Sequence, residues 1–326
     1  MNADLALMEK ITCGAVKVEE TAGGIRFHRF TEEQRAVFEN NDSFHKKTYA
    51  TSGIYLDFIT DAEVLRLRGR AETASTRFFY YFDVSINGIL SAHPGYESCD
   101  EHSEFDFEIA LGGRERKQVT ICFPCLSLIE LNGLALEGAT MVEPVKRRRR
   151  ILYLGDSITQ GYDSRYPSLA YANQLAAMLD AEAINKAIGG DRFNPELAAR
   201  PDEGKFDLIV TAYGTNDWRH HTREQLWNDS REFFDDLRRA YPEVPVVAIL
   251  PIWRHNWDLV TEVGTFAEAA QIIRGAAERL GGVTVVDGMK LTPHLKSFYS
   301  DGLHPNEFGF MFYTRNLFAE LPEELK

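Results

Sequence analysis

Two patterns of hydrophobic and polar positions divide this chain near residue 145. Before that point, short segments rich in β-branched and aromatic residues recur between turn residues, at 53–59, 64–68, 78–84, 105–109 and 119–136. Closely spaced strands with no long amphipathic helix between them predict a β-sandwich. Asn87-Gly88 suits the positive φ angles of a tight hairpin turn and sets Ser85-Ile86 opposite Ile89-Leu90.

Beyond residue 150, strand and helix alternate. Apolar runs at 151–154, 183–188, 206–213, 246–250 and 283–286 predict strands, and those rich in Ile, Val and Leu have the composition of strands covered on both faces. Helical stretches lie at 169–179, 223–240 and 266–280, with a last one from Asn306 to about Glu320. Thr222 and Gln225 have the spacing of a capping box at the start of the second. The pattern predicts a three-layer α/β/α, flavodoxin-like domain with a parallel five-stranded sheet over 148–326. An all-β, jelly-roll-like sandwich domain over 1–147 precedes it.

Composition narrows the function. With 326 residues, 44% of them hydrophobic, the chain has enough apolar material for two cores, and two domains are expected. No apolar run approaches the roughly twenty residues of a membrane span, and the first residues do not read as a signal peptide, so a cytoplasmic protein with no membrane partner is expected. A formal net charge of −13 argues against nucleic acid as a partner. The basic block Lys146 to Arg150 reads as a solvated linker at the domain joint. Cys122-Phe-Pro-Cys125 has redox or zinc-knuckle spacing, but no second pair completes a zinc set. The four cysteines read as buried or half-buried thiols without chemistry.

In an open parallel sheet, ligands bind at the carboxyl ends of the strands. The chemically suggestive residues fall there: Gly155-Asp156-Ser157 after the first strand, Gly189-Gly190-Asp191 after the second, Gly214-Thr215-Asn216-Asp217 after the third and Pro251-Ile252-Trp253 after the fourth. Asp301 and His304 follow the fifth. Gly-Asp-Ser alone reads as a turn, and Asp-x-x-His alone as a capping Asp with a surface His. Converging on one edge, they read as a serine nucleophile with its base and orienting acid.

In these blocks, from Gly155-Asp156-Ser157-Ile158-Thr159 through Asn185–Gly190 and Gly214–Asp217 to Asp301–His304, the sequence resembles the SGNH hydrolases, or GDSL esterases and lipases. The resemblance covers about residues 150 to 326. It implies Ser157 as nucleophile, His304 as base with Asp301 behind it, and an oxyanion hole from Ser157, Gly190 and Asn216. The choice of Gly190 over Gly189 rests on the polar Asp191 that follows. The layout of the first half also resembles the amino-terminal sandwich of bacterial carbohydrate O-acetylesterases within this family.

Acyl transfer needs these parts: a nucleophilic oxygen, a base that later protonates the leaving alkoxide, and donors for the oxyanion. Asp156 reads as structural. No cofactor is implied, and His220, His221, His255 and Asp217 lack the spacing of a metal site, so no metal is expected. Trp218, Trp253 and Trp257, with His255 and His221, lie on loops at the predicted edge. Trp218, Trp253 and His255 are candidate substrate contacts. Arg219 and Arg254 beside them are candidates for hydroxyls or a carboxylate.

With no apolar lid visible, the expected substrate is a small-molecule or oligosaccharide ester, most of all an O-acetyl ester on a carbohydrate. A lysophospholipase, thioesterase or acyltransferase is the alternative, and a noncatalytic carbohydrate-binding protein the distant one. The oligomeric state, with a homo-oligomer among the options, stays open.

Overall fold

The computed structural model describes residues 1–326. Residues up to Pro144 build two antiparallel sheets packed face to face. One has the strand order Thr12–Cys13, Tyr55–Thr60, Lys117–Cys122, Asp83–Ile86, Ile89–Ala92, with Val142–Pro144 also pairing Tyr55–Thr60. The other runs Glu104–Ala110, Val64–Thr73, Ser127–Glu137, Gly24–His28, Lys17–Thr21. Alternation does the sorting: along Val64–Thr73, Leu65, Leu67 and Ala71 are fully buried while Arg66, Arg68 and Arg70 face solvent. At the hairpin, Asn87 and Gly88 have φ of 50° and 79°, and Ile86 pairs Ile89.

The second half is the α/β layer structure expected. Five parallel strands, β1 (Arg149–Gly155), β2 (Ala181–Asn185), β3 (Leu208–Ala212), β4 (Val246–Ile249) and β5 (Val283–Val286), stand in the order 2-1-3-4-5, the flavodoxin-like arrangement. The helices used below are α1 (Ser157–Gln160), α2 (Tyr171–Met178), α3 (Thr215–His220), α4 (Arg223–Ala240), α5 (Phe266–Glu278) and α6 (Glu307–Glu320). Successive residues of β1 go to opposite layers. Leu152 and Leu154 join the core under α4 and α5, and Ile151 and Tyr153 the core under α2 and α6. Thr222 and Gln225 form both bonds of the capping box that starts α4.

Three features differ from the sequence reading. The first half holds short helices, Leu5–Ile11, Glu32–Ala36 and Asp42–Lys47. Their lengths carry too few turns to leave a helical period in the sequence. Phe30 and Phe38 beside them pack into the α/β core and not between the antiparallel sheets. The segment 119–136 is two strands split by a turn at 123–126. The basic block is not a solvated linker: Arg147 pairs with the fully buried Asp57 of the sandwich and with Asp180, and Arg150 pairs with Glu182. It ties the antiparallel half to the parallel sheet.

Candidate active site

The site begins where β1 stops. A Cβ on Gly155 would lie 2.4 Å from Thr159 Oγ1 and 2.8 Å from the Ala212 carbonyl oxygen, so the strand can end this close to β3 only as glycine. Asp156 caps the next turn, its Oδ1 accepting the Ile158 N–H at 3.0 Å. Burial pushes its carboxyl up to about 6. Ser157 opens the single helical turn α1, which Gly161 closes in the left-handed conformation. Its own N–H has no acceptor within the protein.

His304 reaches Ser157 from the far end of the chain. Its Nε2 lies 2.8 Å from Ser157 Oγ and its Nδ1 2.8 Å from Asp301 Oδ2. Asp301 Oδ1 also accepts the backbone N–H groups of Leu303 and His304, each at 2.9 Å, which folds the loop so that both side chains face the same way. Partial burial would raise the Asp301 carboxyl. The bonds from the His304 ring and the two N–H groups outweigh it and hold the group well below the usual carboxylate range. His304 and Ser157 are both buried, whereas Asp301 is 42% exposed.

Two further loops close on the serine. Gly189 donates its N–H to Gln160 Oε1 at 2.7 Å, and Lys47 Nζ donates to the Gly189 carbonyl at 2.6 Å. Gly190 follows with φ of 88° and an N–H that no protein group accepts. Asn216, in the first turn of α3, donates one amide hydrogen to the Asp191 carbonyl at 2.8 Å and has no acceptor for the other. The loops after β2 and β3 are thus bonded to each other, and the first of them to the serine turn. Tyr162 completes the closure. Its ring stacks on His304 with centroids 5.3 Å apart, and it packs so tightly on Gly189 that a Cβ there would lie 2.4 Å from it.

The sequence-predicted substrate contacts fare differently. Trp218 is fully buried, donates its indole N–H to the Gly264 carbonyl at 3.0 Å and packs edge-on against Phe266. It is a core residue, because the first turn of α3 lays that face on the helix layer. Trp253 is also buried, stacked on His294 and tilted against Tyr299. Neither offers a ring face to a ligand. His255 is exposed and braces the loop that carries Asp301 and His304, its backbone N–H donating to the Gly302 carbonyl at 2.8 Å. His221 is buried near Asp217 and Asp229. Arg254 is buried over the Trp218 ring and donates to Thr215 next to Asn216.

Several residues at the site went unread in the sequence. Arg29 is fully buried and holds the carbonyls of Asn185 and Ala187 below the Gly190 loop, each at 2.8 Å. Arg77, from the antiparallel half, makes two bonds to Asp163 at 2.5 and 2.9 Å. Asp163 has a signal, a second carboxylate six residues after Ser157. The arginines have none, since their partners lie far away in the chain. Asp163, Asp301 and His304 bring ligand-type atoms within 4.8 Å of one another, but the Arg77 guanidinium lies against both carboxylates. The four cysteines are free, and burial pushes the Cys125 thiol up to about 12 and the Cys122 thiol higher still, which leaves no reactive thiolate. No helix is long and apolar enough to cross a membrane.

Residues 153–310 match the GDSL-like Lipase/Acylhydrolase family. That segment is a GDSL-like acylhydrolase domain, and the chain is an ester hydrolase. No curated protein sequence matches it. Among solved structures, it is similar to the salicylyl-acyltransferase SsfX3 from a tetracycline biosynthetic pathway, at 20% identity with a TM-score of 0.79, covering 94% of each chain. It is also similar to a family two carbohydrate esterase from Clostridium thermocellum in complex with cellohexaose, at 15% identity and a TM-score of 0.67, covering 85% of this chain and 94% of that one. A third likeness is to the acetyl xylan esterase Est2A from the rumen bacterium Butyrivibrio proteoclasticus, at 13% identity and a TM-score of 0.67, covering 100% and 98%. The likeness to SsfX3 and Est2A spans both halves, so sandwich and hydrolase domain recur together as one architecture.

Proposed function

We propose that this acylhydrolase is a serine esterase that removes O-acetyl groups from carbohydrates, with Ser157 as nucleophile. The unbroken relay from Ser157 Oγ through the His304 ring to Asp301, with both links at 2.8 Å, carries the reading. Ser157 Oγ attacks the ester carbonyl as His304 Nε2 takes its proton. The negative charge that develops on the carbonyl oxygen meets the Ser157 and Gly190 N–H groups and the second amide hydrogen of Asn216, which have no other acceptor. The protonated ring then gives its proton to the departing sugar alkoxide, leaving an acetyl-serine. Water, deprotonated by the same nitrogen, attacks that ester, releases acetate and returns the proton to Ser157. Asp301 fixes the ring with Nε2 toward Ser157 and stabilises its charged form.

The carbohydrate and acetyl parts are supported by the likeness to a carbohydrate esterase and an acetyl xylan esterase. The test is mass spectrometry of acetylated xylo-, manno- and pectic oligosaccharides after incubation with the chain. Acetate release from at least one panel member is expected. No release, together with cleavage of longer acyl esters, would refute the acetyl reading.

A second reading, acyl transfer to an acceptor other than water, is favoured by the likeness to SsfX3 over nearly the whole chain. It keeps the acyl-serine and changes only what resolves it. Adding an alcohol acceptor separates the two: an esterase goes on releasing acid, while a transferase diverts most of the acyl group to the alcohol.

A further inference from the structure

The His304 ring faces two carboxylates. Asp301 Oδ2 accepts from Nδ1 at 2.8 Å, while Asp163 Oδ2 lies 3.5 Å from the same nitrogen, too far for a good hydrogen bond but close enough to act through charge. Asp163 is nearly buried and has φ of 63°, a conformation uncommon outside glycine. Arg77 comes from the antiparallel half, grips Asp163 through Nε and Nη2 and sets Nη2 3.5 Å from Asp301 Oδ2. Its guanidinium also lies over the Tyr162 ring that stacks on His304. Two carboxylates and one guanidinium leave one net negative charge facing the ring, the same as a lone aspartate would supply.

We propose that Arg77 and Asp163 form a second arm of the His304 relay, through which the antiparallel half sets the charge seen by the ring. They are positioning residues, and the proposal rests on the Ser157–His304 reading above. The ring must be neutral to take the serine proton, so the low-pH limb of kcat/KM reports the balance of charges around it. The groups that bear on it are Asp301 on its own loop, Ser157 at the start of α1, Tyr162 and Asp163 after that turn, Arg77, and the buried Asp156 beneath. Arg254 acts on Asp156 and Asp301. Of these, Arg77 is the cation bonded directly to a carboxylate beside Nδ1. Removing it leaves two uncompensated carboxylates, which favour the protonated ring. Removing the Asp163 charge leaves Arg77 balanced by Asp301 alone, with no net negative charge facing the ring, which favours the neutral one.

The experiment measures pH profiles of p-nitrophenyl acetate hydrolysis by the full chain. Arg77→Gln moves the low-pH limb up by about one unit and lowers kcat/KM roughly tenfold on that limb, the lower end of the effect of a charge within about 4–6 Å. Asp163→Asn moves it down by a similar amount. The double variant Arg77→Gln/Asp163→Asn returns it to the parent position, and Arg77→Lys leaves it there. Limbs that stay in place in both single variants, with only thermal stability lowered, would overturn the proposal and leave a plain tie between the halves. If Arg77→Gln does not fold, the direction of the Asp163→Asn shift decides. Ser157→Ala is the control: if it kept full turnover, the serine reading itself would fail, a result distinct from unmoved limbs in an active enzyme that depends on Ser157.

Discussion

Asn216→Ala tests the proposed oxyanion site most directly, because the structure separates what the residue does for folding from what it offers the reaction. One amide hydrogen is bonded to the Asp191 carbonyl at 2.8 Å, and the other has no protein acceptor. Losing the first removes one hydrogen bond in a half-buried turn, about 1 kcal/mol of stability. For a chain this long that lowers the melting temperature by a few degrees at most. On the proposed mechanism, losing the second removes a donor whose partner bears full charge only in the transition state. That is worth about 2.7–4 kcal/mol, or 10²–10³ in kcat, with little change in KM. Asn216→Asp is the sharper contrast, since it keeps the shape and sets a carboxylate against the developing oxyanion, so turnover falls below that of the alanine variant. Steady-state hydrolysis of p-nitrophenyl acetate gives kcat and KM, and a thermal melt gives the folding part. A kcat within about fivefold of the parent in a folded Asn216→Ala variant would refute the assignment, as would an aspartate variant more active than the alanine one.

Other outcomes follow from the same geometry. Ser157→Ala and His304→Ala each lose several orders of magnitude in turnover, and the double variant is little worse than either, because they act as one unit; additive losses in single-turnover assays would contradict this. Trp218→Ala costs about 3–5 kcal/mol of stability in a denaturant titration, as for a large buried side chain, whereas alanine at the exposed His255 is nearly silent there. Burial pushes the Asp191 and Asp217 carboxyls up to about 8 and about 7, the Asp217 charge adding to the rise at Asp191 and the Asp156 charge to the rise at Asp217. Both folded values lie above the unfolded value near 4, so the folded chain holds protons that unfolding releases. Their contribution is intact below about pH 4 and is lost as pH rises through 7 and 8. Asp191→Asn flattens that decline in calorimetric melts, and an unchanged slope would count against it. Chelators leave turnover unchanged, since Arg77 already lies against Asp163 and Asp301; loss with EDTA and recovery with zinc would reopen a metal role.

The two architectures were legible in the sequence because each rests on a local periodicity. Alternation of period two along Val64–Thr73 and continuous apolar runs such as Leu208–Ala212 are set by which faces of a strand are covered. The short helices of the first half were not legible, being too brief to show a period of 3.6. The residue types of the proposed triad stood at strand ends in the sequence, but the bonds that link Ser157, His304 and Asp301 depend on the fold of the loop around Gly302. Trp218 and Trp253 misled for a related reason: sequence places them on the right loops, yet which side of a loop turns inward is settled by packing.

By itself, then, the sequence determined the sandwich followed by the α/β domain, and the edge of the parallel sheet at which Ser157, Gly190, Asn216, Asp301 and His304 gather. Only the tertiary structure decided that the antiparallel half is part of the site, through Arg29 and Lys47 under the Gly190 loop and Arg77 on Asp163. Strand and helix periods are short-range and are written in neighbouring residues. A guanidinium that meets its carboxylate 86 positions away leaves no local trace until the two halves are packed together.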